Sequence, residues 1–364
     1  MPRIDRDELE SFVTRIVKQL GTDDETATEV AESLVEADLR GHSSHGVRQL
    51  ATKYVPEIEE GKIDPSATPV FEQIGPSQLI IDGQKAFGQA VGREAVDAVV
   101  SAAEASEVGV VGIRNVSHLG RIGEWAERVT DRGFAFIAFV CNPASRYVAP
   151  AGSAEARLST NPITIGVPTF DAIEFPIVLD IATSQVAYGK TRMFRTNDKP
   201  IPEGLAVTSS GDPLTDPERL REGDGALLPL GGLVSGYKGF GLAVVAELLA
   251  ANLGDGSISG EVDPIWGNHA GFFAVDLTRF TTRDRLEERI SAFAAYLRDT
   301  SSAPFSPGVA AKGDEPLLPG EAEYRKLEEQ RESGIFVSEE DARLLVALAR
   351  DRGVEDAVPA NLRD

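Results

Sequence analysis

Residues 108–141 read VGVVGIRNVSHLGRIGEWAERVTDRGFAFIAFVC. An apolar run, VGVVGI, ends in a polar turn that carries His118. A helical stretch around Trp125 follows, and a second apolar run closes at Cys141. Both runs are short and rich in Val, Ile and Phe, as buried strands are. In open α/β sheets ligands gather beyond the carboxyl ends of strands, so His118 sits where chemistry is expected. No G-x-G-x-x-G fingerprint is present: GDGSISG (254–260) comes close but follows a helix and has the wrong spacing.

Outward from this unit the chain keeps its mixed character. Leu9, Phe12, Val13, Ile16 and Leu20 fall at helical spacing, with Gly21 as the stop. Thr22 to Glu25 reads as a capping box that starts a second helix with Ala27, Val30, Ala31 and Leu34 on one face. A short helix around Tyr54 to Glu60 precedes two strands, FEQIG and QLIIDG, and a long helix over Gly88 to Ser106. ITIGV and IVLDIA read as further strands, and residues 191–235 as a long irregular excursion. Leu242 to Leu253 reads as an apolar helix and GFFAVDL as a strand. Charged helices over 282–299, 321–332 and 338–352 end the chain. The fold class is mixed, α/β (α+β).

The 364 residues hold 58 Asp and Glu against 36 Lys and Arg, a net charge of −22. Such a field repels phosphate backbones and anionic lipid, which disfavours nucleic acid and membrane partners. Only nine of the basic residues are lysine. Strong acidity with little lysine is the pattern of a salt-adapted cytosolic protein. No run approaches eighteen uninterrupted apolar residues, so no membrane span is expected. The charged start MPRIDRDELESF has no apolar signal core, and a cytoplasmic location is expected. Cys141 is the single cysteine, and its apolar flanks mark it as a core residue rather than a nucleophile.

Four histidines serve the whole chain, and two of them lie in GHSSHG, residues 41–46. His45 and His118 each follow a serine and have glycine beyond. Imidazole titrates near neutrality and can donate or accept a proton, while a neighbouring hydroxyl fixes its tautomer or relays the proton. Gly46 would let a substrate approach closely, and His42 reads as structural. No G-x-S-x-G elbow supports a serine hydrolase. HSSH has no H-E-x-x-H or cysteine partner, so no metal site is expected and a metal-dependent hydrolase is the outsider. Lys238, in SGYKGFGL before a helix, is placed to meet a phosphate.

Six ordered motifs, GHSSHGV, NVSHLGRIGEW, STNPITIGVP, LDIATSQVAYGK, PLGGLVSGYKGFGL and LLPGEAEYR, make the chain similar to the malate/L-lactate dehydrogenase-like oxidoreductases over about residues 5–350. That resemblance implies a homodimer using NAD or NADP through a non-Rossmann NAD(P)-binding domain, a mostly antiparallel sheet flanked by helices, plus a helical domain from both chain termini. The expected boundaries are 1–70 for the N-terminal helical part, 71–280 for the sheet domain and 281–364 for helices packing with the N-terminal part. The implied reaction is hydride transfer between nicotinamide and a small 2-hydroxy or 2-oxo acid. Reduction of a cyclic imine and a non-catalytic cofactor-binding protein are the alternatives.

Residue by residue, Ser44 and His45 match a proton relay and proton donor of some members, and His118 matches a proton acceptor of others. The hydroxyl beside it favours His45 as the acid/base. Thr160 matches a substrate-contacting threonine. Ser117, His118, Leu119, Gly120 and Arg121, then Asp180, Ile181 and Ala182, match cofactor-contacting segments. Tyr237 with Lys238, and Pro319, Gly320, Glu321 and Arg325, match two more. The family's SHG-x-x-R becomes SHGVRQL, with Gln49 at the arginine position and Arg48 one place early as the expected carboxylate contact. Ser159 and Tyr237 stand where glycine and histidine are usual.

Overall fold

The computed structural model describes residues 3–196, 198–300 and 315–363. Two helices open the chain, α1 (Arg6–Lys18) and α2 (Asp24–Leu39). Asp23, rather than Thr22, caps α2: its carboxylate accepts the Thr26 N–H at 2.8 Å. A carboxylate is the stronger acceptor at the positive end of a helix dipole.

The strands are β1 (Val70–Gly75), β2 (Gln78–Asp82), β3 (Val108–Val116), β4 (Ala135–Cys141), β5 (Ile163–Val167), β6 (Ile177–Ile181) and β7 (Asn268–Val275). They form one seven-stranded sheet in the order β1-β2-β3-β7-β4-β5-β6. Only the β2–β3 pair is parallel; the other five neighbouring pairs are antiparallel. The sheet is thus mostly antiparallel. β7 enters between β3 and β4, so the opening strand–helix–strand unit is split by a strand from far along the chain.

Helices α3 (Gly88–Ser106) and α4 (Ile122–Thr130) cover one face. Val96, Val99, Trp125 and Ala126 pack there on Val111, Ile113, Phe136 and Phe272. The other face carries α6 (Gly232–Gly254), which packs Ala250 and Ala251 on Cys141. Gly112 of β3 permits this contact, because a Cβ there would lie 1.8 Å from the Leu253 carbonyl oxygen.

A separate core joins the two ends of the chain. Leu9, Phe12, Leu34, Leu39 and Tyr54 pack with Leu327, Ile335, Leu345 and Leu348. The last four come from α8 (Glu321–Ser333), α9 (Glu339–Asp351) and the residues between them. The intervening α7 (Arg283–Arg298) buries Ala294 against Phe175 and Leu318 instead.

Residues 191–235 hold more structure than the irregular excursion expected. Helix α5 (Tyr188–Thr196), a short helix at Pro217–Arg221 and a two-strand ribbon enclose a small core of Val148, Ile201, Ala206, Leu214, Leu220 and Leu227. Helix α6 begins ten residues before the expected Leu242. Among the described residues it is the one helix long and apolar enough to cross a membrane by length and composition. Its inner face lies on the sheet, and Glu247 within it hydrogen-bonds to Asn161 and to the Ser259 N–H.

Candidate active site

Helix α2 ends at Leu39, Gly41 turns the chain with φ +79°, and residues Ser43–His45 form one 3₁₀ turn. Ser44 Oγ lies 3.0 Å from His45 Nδ1. Gln49, which stands at the family's arginine position, donates its side-chain N–H to the Ser44 carbonyl and ties the turn down. His118 arrives from the end of β3. Its ring stacks on that of His45, with centroids 5.3 Å apart and planes 21° from parallel. Sequence reading treated these histidines as rivals, and the fold makes them neighbours.

His118 has a hydroxyl partner of its own, which sequence reading missed. Tyr54 OH lies 3.2 Å from His118 Nδ1 and accepts the side-chain N–H of Gln89. The phenol hydrogen is free to point at Nδ1, the arrangement that suits the Nε2–H tautomer of His118. Each ring therefore has Nδ1 engaged and Nε2 free of any hydrogen bond within the described residues. Burial, with the charges of His42, Arg121, Lys190 and Lys53, lowers His45 to about 3. Burial, with Lys53 and His45, holds His118 well below the usual imidazole range. Both rings are neutral at pH 7.

Two neighbours in the turn have partners that their sequence positions did not show. A Cβ on Gly46 would lie 2.1 Å from Asp38 Oδ1, so this glycine makes room for Asp38 and not for a substrate. Asp38 accepts the Val47 N–H at 2.8 Å. Burial pushes Asp38 up to about 7, opposed by the Val47 N–H and aided by Asp341. Arg48 turns toward α9, its Nε 3.3 Å from Asp341 Oδ1, and both side chains are largely buried. No described contact joins Arg48 to either histidine. His42 binds Glu323 of α8 across 3.2 Å.

Three of the segments matched to cofactor contacts meet at the end of β6. Asp180 accepts the Gly123 N–H at 2.8 Å and the Thr164 hydroxyl at 2.7 Å. Ile181 pairs with Ile163 in the sheet, and Ala182 follows, half-buried. Pro319 accepts the Val178 N–H at 3.1 Å, and Gly320 takes φ +91°. Arg121 is buried and ion-paired with Glu127 at 2.5 Å. Glu321 is held by Arg298 and by Arg325.

Ser117 accepts the Gly88 N–H, Leu119 donates to Asn268, and Gly120 takes φ +74°. These are supports for the turn. The Thr160 carbonyl accepts both the N–H and the hydroxyl of Thr183, and the Thr183 carbonyl takes the Leu230 N–H that leads to α6. Tyr237 and Lys238 stand exposed on α6, and Lys238 lies 6.0 Å from the Tyr237 ring.

The other histidine and the cysteine are packing residues. His269 is fully buried, lies against Gly256, and is pushed by burial to about 4. Burial, with the Glu247 carboxylate nearby, drives the Cys141 thiol well above its usual range. Among the described residues no three His, Cys, Asp or Glu side chains are arranged to hold a metal ion.

Residues 4–345 match the family model for malate/L-lactate dehydrogenase. The chain belongs to the malate/L-lactate dehydrogenase family. Within it, the chain is 33% identical to a malate dehydrogenase of Pyrococcus abyssi over 87% of each protein. It is 30% identical to a Delta(1)-pyrroline-2-carboxylate/Delta(1)-piperideine-2-carboxylate reductase of Pseudomonas putida, over 93% of this chain and 94% of that one. The solved malate dehydrogenase of Pyrococcus horikoshii OT3 superposes with a TM-score of 0.83 at 31% identity, covering 97% of this chain and 96% of that one. The stacked histidines therefore sit in a member of the malate/L-lactate dehydrogenase family.

Proposed function

We propose that the chain is an NAD(P)-dependent oxidoreductase that moves a hydride between nicotinamide and C2 of a small 2-hydroxy or 2-oxo acid. The stacked His45–His118 pair, with a hydroxyl on each Nδ1, carries this reading. In the oxidative direction neutral His45 takes the hydroxyl proton and Ser44 stabilises the imidazolium. His118, fixed as the Nε2–H tautomer, donates a hydrogen bond to the substrate oxygen. In reduction the same proton returns to the alkoxide. Such acid–base help is worth about 10²–10⁴ in rate. Thr160 is the proposed substrate hydroxyl contact.

The nicotinamide cofactor supplies or receives the hydride when bound. The residues present fit a dinucleotide. Lys238 has no ion-pair partner among the described residues and suits a phosphate. Pro319, Gly320, Asp180 and the Gly120–Gly123 turn bring backbone together at the end of β6. Arg121 and Glu321, each already ion-paired, act in this reading as supports. The cofactor part is the sheet domain, 71–280, of non-Rossmann type, which its mostly antiparallel pairing supports. The chain ends, 1–70 and 281–364, form the helical part.

The enzyme acts as a homodimer in the cytoplasm of a salt-rich cell, with neither nucleic acid nor membrane as partner. The outer face of α6 supports the dimer: Val234 is 94% exposed and Tyr237 65%, with Leu242, Val245 and Leu248 continuing the stripe. An apolar helix face of that length is normally covered.

The test is nicotinamide absorbance with purified protein in concentrated potassium chloride. NADH and NADPH are each offered with oxaloacetate, pyruvate, glyoxylate, a sulfonated 2-oxo acid and a cyclic imine. Turnover of a 2-oxo acid supports the reading. Turnover of the imine alone selects the reductase activity named for the Pseudomonas relative, and cofactor binding without turnover selects a binding protein.

A further inference from the structure

Arg48 is paired with Asp341, so the other cations near the histidines are candidates for the acid group of the substrate. Three cations lie close enough for their charge to reach His45: Arg121, Lys190 and Lys53. Arg121 is buried against Glu127. Lys53 Nζ is 3.1 Å from Glu57. Lys190 is exposed and makes no ion pair or side-chain hydrogen bond among the described residues. In a chain with 58 carboxylates and 36 basic residues, an unpaired lysine beside a histidine pair is a feature that needs a reason.

Its place is fixed from three sides. Gly189, the residue before it, faces the catalytic turn: a Cβ there would lie 3.3 Å from Ser44 Cβ. Any larger residue would press on the serine that holds His45. Tyr188, one further back, stacks on Tyr147 with ring centroids 3.8 Å apart. The Lys190 N–H closes a turn onto the Ala187 carbonyl at 3.0 Å. The backbone is therefore placed beside Ser44, and the exposed Lys190 leaves from that point on a flexible four-carbon stem.

We infer that Lys190 holds the carboxylate of the 2-hydroxy or 2-oxo acid at the outer edge of the His45–His118 pair. The inference rests on the function proposed above. An ammonium on a mobile stem can follow a small anion into the site and close on it, as a point charge does. A bound carboxylate also cancels positive charge that otherwise disfavours protonation of His45, so substrate binding prepares that ring to take the proton.

The experiment compares wild type, Lys190→Met and Lys190→Arg, all loaded with cofactor. Steady-state kinetics with oxaloacetate and pyruvate are joined by calorimetric binding of oxalate, an unreactive analogue of the acid group. Lys190→Met is expected to raise KM and the oxalate Kd about 10- to 100-fold, as loss of a charge-assisted contact does. It should leave kcat within about threefold, and Lys190→Arg should recover most of the affinity. Melting curves identify a variant that has not folded, in which case Lys190→Arg against Lys190→Gln replaces the comparison. Unchanged KM and oxalate affinity in Lys190→Met overturn the assignment and leave the proposed function standing. If wild type turns over no 2-oxo acid, the proposed function fails. Oxalate binding then decides Lys190 alone: weaker binding by Lys190→Met supports an anion site, and equal or absent binding by both proteins overturns it.

Discussion

The ring of His45 lies face to face with that of His118, 5.3 Å between centroids, although the two stand 73 positions apart in the chain. In the proposed chemistry these two neutral imidazoles divide the task. One moves the proton while the other, held by its hydroxyl partner, binds the oxygen.

The lock on His118 is testable. Tyr54→Phe removes the O–H that fixes the tautomer and leaves the Gln89 N–H without its acceptor. Turnover should fall at least about twofold, since a ring freed of the phenol can spend about half its time in the tautomer that cannot donate from Nε2. The orphaned amide should cost about 1–3 kcal/mol of stability. Kinetics and a denaturant titration read the two effects separately.

Arg48 separates a structural role from a substrate role. Arg48→Ala leaves the largely buried Asp341 beside Asp38 with no cation between them. Breaking a buried pair in this way typically costs about 3–5 kcal/mol. The denaturation midpoint should drop accordingly. A variant that melts like wild type, with only KM raised, would restore Arg48 as a substrate contact.

Acid should weaken the fold through its histidines. His269 is lowered by burial to about 4, beneath the unfolded value of roughly 6.5. Below pH ~6.5 the unfolded chain takes up a proton that the folded chain refuses, so this contribution is complete above that pH and is lost as pH falls toward 4. His45 and His118 act in the same sense. Asp38 acts in the opposite one: raised to about 7, its contribution is present at low pH and fades as pH rises through 7. Between about pH 6.5 and 4.5, wild type should lose roughly 2–3 kcal/mol more than His269→Gln. Parallel unfolding curves for the two proteins would contradict this.

Most of the helices and all seven main strands were legible, because apolar spacing reports which face is buried. Two features were hidden for the same physical reason. PLGGLVSGYKGFGL looked like a loop because glycine disfavours helix, yet Gly239 is required there: a Cβ would lie 2.3 Å from the Leu230 nitrogen. Gly46 and Arg48 looked like parts of the site because they adjoin His45 in sequence. Their partners, Asp38 and Asp341, come from α2 and α9, and local reading has no access to either. The histidines showed themselves through rarity and their serine neighbours. Tyr54, Gln89 and Lys190 carried no such signal, since only the fold brings them to the rings.

The most direct measurement sets wild type beside His45→Ala, following nicotinamide absorbance with the best 2-oxo acid and cofactor binding by fluorescence in the same samples. The account predicts that His45→Ala binds cofactor as wild type does while its turnover falls about 10²–10⁴-fold. Turnover close to wild type would contradict the assignment of His45 as the proton-transfer residue and, with it, the chemistry proposed for the stacked pair.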